Sequence, residues 1–119
     1  MAKAPEAFTV ASHFAGKDPA ARAVYDKLLA AAKELGPVRE EAKKTSIHLC
    51  RDTAFAGVQV RKAHLVLTLK ADRPFDSPRV HKSEQTSANR FHHELKLVSP
   101  DEIDRELRGW LKGAYALSG

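Results

Sequence analysis

Between Pro19 and Leu35 apolar residues return every three or four positions. Ala21, Val24, Tyr25, Leu28, Leu29, Ala32 and Leu35 fall on one stripe of an α-helix. Asp18 stands where an N-cap belongs, Pro19 takes the first helical position, and Gly36-Pro37 forms the stop. Just upstream, FTVASHFAGK predicts one short helical turn ending before Gly16. The period then drops to two. In TSIHLC, Ile47 and Leu49 share one face, with Ser46, His48 and Cys50 on the other. RDTA turns the chain into FAGVQV, and RKA turns it again into HLVLTLK, where Leu65, Leu67 and Leu69 alternate with polar or smaller residues. Connections this short join antiparallel neighbours, because parallel strands need a long crossover.

Residues 71–89 are polar and carry Pro74 and Pro78. A structureless loop of that length is unusual in a compact domain. The pattern predicts a charged edge strand around Arg79 to Ser83, a turn near Ser87 to Asn89, and a last strand in RFHHELKLV. SPDEIDRELRGWLKGAYAL then reads as one closing helix. Ser99 and Glu102 form its capping box, Pro100 fills its first position, and Asp101, Glu102 and Asp104 complement the helix dipole in its first turn. Its apolar stripe is Ile103, Leu107, Trp110, Leu111 and Ala114, with Tyr115 alongside. The order implies an α+β two-layer sandwich, an antiparallel sheet of about four to five strands packed on N-terminal and C-terminal helices.

The 119 residues make one domain, expected over 8–119 after a loose terminus at 1–7. No apolar run approaches the roughly 18–20 residues of a membrane span, and MAKAPEAFTV has no continuous apolar segment of a secretory signal. Cys50 is the sole cysteine, so no internal disulfide is possible. A cytoplasmic location is the simpler expectation, with Cys50 as a small packing residue. The net charge of +5 favours polyanions without identifying a partner, since the basic residues are scattered along the chain.

Two adjacent histidines in the last strand must face opposite ways. Phe91, His93, Leu95 and Leu97 share the face that meets the helices, while His92, Glu94, Lys96 and Val98 share the other. His93 is therefore expected to be buried and hydrogen-bonded, and His92 to be solvated. A metal site would need His48, His64 and His92 to meet across neighbouring strands; with no helical His-x-x-x-His or HExxH pattern, no metal and no cofactor are expected. Phosphate-cradling glycine loops and GxSxG elbows are absent. The strands lack the paired exposed aromatics of an RNA-recognition sheet, Phe55 being the one strand ring left for an outer face.

HFAGK at 13–17, AKKTSIHL at 42–49, FAGVQVRKAHLVLTL at 55–69, FHHELKL at 91–97 and WLKGAY at 110–115 together resemble, in order and spacing, a small bacterial family called domain of unknown function 5655. The resemblance runs from about His13 to Tyr115. It implies an α+β fold and a domain found alone or appended to other proteins, with no activity to carry over. It places the family's opening motif on His13, Phe14, Gly16 and Lys17, its KK-T on Lys43, Lys44 and Thr45, and its basic turn on Arg61 and Lys62. The late-strand histidine falls on His93 and the final aromatic on Tyr115. Leu49 stands where relatives carry an aromatic, so no stacking role is implied there.

Three functions are compatible with these residues. The first is a binding module for an anionic small molecule or a polyanion such as nucleic acid, through Lys17, Lys44, Arg61, Lys62 and Arg79 at strand ends and on an edge strand. The second is a small enzyme using His93 or His13 as acid–base, with Tyr115 as a further catalytic candidate. The third is a structural domain that forms oligomers through its edge strand. No membrane partner is expected.

Overall fold

A computed structural model describes residues 9–119; the terminus expected to be loose over 1–7 lies outside them. The short helix α1 covers Val10–Phe14 and the long helix α2 covers Pro19–Lys33, capped by the Asp18 carboxylate on the Ala20 N–H. Six strands follow: β1 Arg39–Ala42, β2 Ile47–Cys50, β3 Ala54–Val60, β4 Leu65–Ala71, β5 Val80–Ser87 and β6 Arg90–Leu97. They form one antiparallel sheet in the order β1-β2-β3-β4-β6-β5. Helix α3, Arg105–Ala116, closes the chain.

The architecture is α+β, with six strands rather than four to five. The additional strand is β1, whose sequence REEA carries no apolar alternation to announce it. It forms because Arg39 to Ala42 pair in register with Cys50 to Ile47. β1 and β5 are the two edges, and both are rich in charge, which suits edges that must not pair with other chains.

Leu65, Leu67, Leu69, Leu95 and Leu97 lie fully or almost fully buried on the face that Ile47, Leu49 and Val58 share. They join Val24 and Leu28 of α2 and Leu107 and Leu111 of α3 in a single core cluster. Each such side chain contributes on the order of 1.5–3 kcal/mol on burial, counted from an extended chain. A slip of one residue would turn this whole set outward, so the register is strongly specified.

The closing segment differs from its expected form. Ser99 and Glu102 do form a capping box, but it caps only a 3₁₀ turn over Pro100–Glu102. Ile103 leaves the helical region at φ −82° and ψ 66°, and α3 starts afresh with Asp104 capping the Leu107 N–H. The break turns Ile103 into the core, 3 % exposed. Phe55 also departs from its expected outer-face position: it is fully buried, edge-on to Tyr115 at 5.3 Å, and is not available to stack on a base. The register shift between Leu49 and Cys50 places it inward as the extra residue of a bulge.

Candidate functional site

Lys17, Lys44, Arg61 and Lys62 are all exposed and sit on three connections. Lys44 lies in the β1–β2 turn, closed by the Lys43 N–H on the Ser46 carbonyl at 2.7 Å; Arg61 and Lys62 lie in the β3–β4 turn, closed by the Arg61 N–H on the His64 carbonyl at 2.8 Å. Antiparallel pairing of β1 through β4 puts both turns at the same end of the sheet. Two further bonds fasten the α1–α2 connection onto them. The Asp18 N–H donates to the Lys62 carbonyl at 2.6 Å, and His13 Nε2 donates to the Lys43 carbonyl at 2.8 Å. Gly16 supplies the left-handed kink, φ 74°, that this connection needs. The end is positively biased: His64, in the same turn, has its pKa lowered first by burial and then by Lys96 and Arg61.

Arg79 does not belong to this group. It lies in the turn immediately before β5, beyond β6, and its guanidinium is committed within the fold. It donates to the Asp104 carboxylate at 3.0 Å, to Glu106 at 3.1 Å and to the Glu102 carbonyl at 2.7 Å, and lies 5.7 Å from the Trp110 ring centre. Two carboxylates already compensate its charge.

Each acid–base candidate is bonded to a different part of the chain. His93 is 1 % exposed, as the strand phase requires. Its Nε2 donates to the Arg73 carbonyl at 2.8 Å, so in the neutral ring Nδ1 accepts from the Ser83 hydroxyl, also at 2.8 Å. Both nitrogens are thereby occupied. The Tyr115 hydroxyl donates to the Pro37 carbonyl at 3.0 Å, and the Arg51 guanidinium lies 4.6 Å from its ring centre. His13 uses Nε2 on Lys43, as above. The three residues tie down, respectively, the β4–β5 connection, the α2–β1 connection and the β1–β2 turn.

The outer face of the sheet carries a feature that no local pattern in the sequence announces. A depression of about 300 Å³ opens there, and His48, Thr68, Lys70, His92 and Glu94 stand around it. His48, Gly57, Thr68 and Glu94 lie in one row across four strands, and Lys70 pairs with His92 in the next. His92 is thus exposed as expected, but into a concave surface. His64 does not line it, and no group of three or more metal-ligating side chains occurs among the described residues. Cys50 is buried and its thiol pKa is raised, chiefly by burial, which disfavours the nucleophilic thiolate. Among the described residues no helix is long and apolar enough to cross a membrane.

A model of the family described as Domain of unknown function (DUF5655) matches residues 10–118. No curated protein and no solved structure matches the chain.

Proposed function

From a chain that belongs to the domain of unknown function 5655 family, we propose a binding module for an anionic ligand, read as a two-layer sandwich whose working surface is one end of the sheet. Lys17, Lys44, Arg61 and Lys62 make that surface. The observation that carries the reading is the pair of hydrogen bonds from Asp18 to Lys62 and from His13 to Lys43, which lock three basic connections together. Arg61 spends one N–H on the neutral Gln59 amide, and among the described residues none of the four cations is held in an ion pair. Uncompensated charges gathered at the end of a rigid sheet raise the local concentration of anions and steer them inward. On this reading His13 is a positioning residue, and Arg79 contributes to stability instead of binding.

Heparin chromatography tests the reading. Arg61→Glu with Lys62→Glu should elute at clearly lower salt than the parent, with a shallower dependence of binding on salt. Lys27→Glu with Lys112→Glu changes net charge equally at two exposed helix positions and is the control. Equal loss of retention in both double variants would reduce the effect to net charge and refute a dedicated surface.

A further inference from the structure

Gly57 occupies the middle of β3, a strand paired on both sides, where glycine is ordinarily unfavourable. Nothing in the fold requires it. Its φ is not positive, and a Cβ there would meet only His48 Cδ2 at 3.9 Å and Thr68 Cβ at 4.0 Å, both ordinary contacts. What the missing side chain does provide is the floor of the depression on the outer sheet face, between His48 and Thr68.

Lys70 supplies the chemistry at the edge of that floor. Its ammonium donates to the Ser118 hydroxyl at 2.9 Å and to the Thr53 hydroxyl at 3.2 Å, both neutral. An ammonium has three donors, so one is unspent. No carboxylate among the described residues compensates it. Its pKa is lowered by burial first and then by the positive charge of Arg90. A half-buried cation without a counter-ion, facing a concave surface, is a demand for an anion. The rest of the lining limits which one. Ala54 and Gly57 offer a small apolar floor, and Glu94, held by His81 Nε2 at 2.9 Å, opposes a doubly charged guest.

We propose that this depression binds a small monocarboxylate with a short apolar body, its carboxylate on Lys70 and its body over Gly57. His92, the register partner of Lys70, flanks the carboxylate position, and His48 and Thr68 border the apolar part. The site is separate from the basic end of the sheet and does not depend on the reading given to that end.

Titration of the ¹⁵N-labelled full chain with sodium butyrate, followed by amide shifts, tests it. Saturable shifts are expected at Gly57, Thr68, Lys70 and His92. Lys70→Met should weaken them on the order of tenfold or more, by removing a charge-assisted hydrogen bond. Gly57→Val keeps every charge and fills the floor, so it should abolish them in a chain that still folds, and it decides the matter if Lys70→Met does not fold. The Arg61→Glu, Lys62→Glu variant should titrate as the parent does. Absence of saturation, or saturation unchanged in Gly57→Val, would overturn the site. Tighter saturation of the same amides by inorganic phosphate would overturn its assignment to a carboxylate.

Discussion

The imidazole of His93 is stacked on the ring of Phe75, with centroids 4.2 Å apart and planes inclined by 29°. The other face of Phe75 lies on Trp110 of α3 at 4.6 Å, nearly parallel at 9°. With Nε2 of His93 on the Arg73 carbonyl, this column pins the long β4–β5 connection to the sheet on one side and to α3 on the other. A polar residue in the core is here the anchor of a loop that has little apolar content of its own.

His93→Ala is therefore expected to destabilise the fold by about 2–4 kcal/mol, since it opens a cavity beneath Phe75 and removes the hydrogen bonds to the Ser83 hydroxyl and the Arg73 carbonyl. His92→Ala, on the opposite face, should stay within about 0.5 kcal/mol. Urea unfolding of the two variants measures the contrast. Equal costs would mean that the strand is not seated as described.

Alkaline stability should depend on Tyr25. Its side chain is fully buried and its hydroxyl donates to Glu40 Oε2 at 2.5 Å, joining α2 to β1. Burial first, and then the Glu40 carboxylate, hold its pKa well above the ordinary value. The folded chain thus keeps the phenolic proton longer than the unfolded chain does. The stability this confers is complete below about pH 10 and falls as pH rises past it. Urea midpoints followed from about pH 8 to 11.5 should decline more steeply for the parent than for Tyr25→Phe. Parallel declines would exclude Tyr25 as the titrating group.

Gly36 and Tyr115 form a second coupled pair. Gly36 has φ 145°, a conformation L side chains rarely adopt, and a methyl group there would collide with the Tyr115 hydroxyl. Gly36→Ala should cost on the order of 1–3 kcal/mol from backbone strain alone, with the collision added. Tyr115→Phe should cost about 1 kcal/mol by losing its bond to the Pro37 carbonyl. In the double variant the collision is gone but the strain remains, so its cost should fall between that of Tyr115→Phe and the sum of the two singles. Strict additivity in a denaturation double-mutant cycle would show that the two residues do not interact.

Helix α2 with its Asp18 cap, the alternation of Leu65, Leu67 and Leu69, and the inward phase of His93 were all legible in the sequence. Each is a local property: a 3.6-residue or two-residue period, or a cap within a few positions of the residue it serves. The shared basic end was only partly legible, because each turn could be read but not the hydrogen bonds from Asp18 and His13 that draw them together. β1 was hidden because an edge strand is defined by its partner, and REEA has no apolar pattern. Arg79 is the clearest divergence. As a sequence position it was a free cation on an edge strand, and only the tertiary structure brings Asp104 and Glu106, some 25 residues downstream, to compensate it. His92 and Gly57 show the same division. The sequence by itself determined that His92 faces outward and that a glycine interrupts a strand. Only the pairing of β2, β3, β4 and β6 decided that these residues, with Lys70, surround one depression, because cross-strand register is a relation between distant segments that no local pattern encodes.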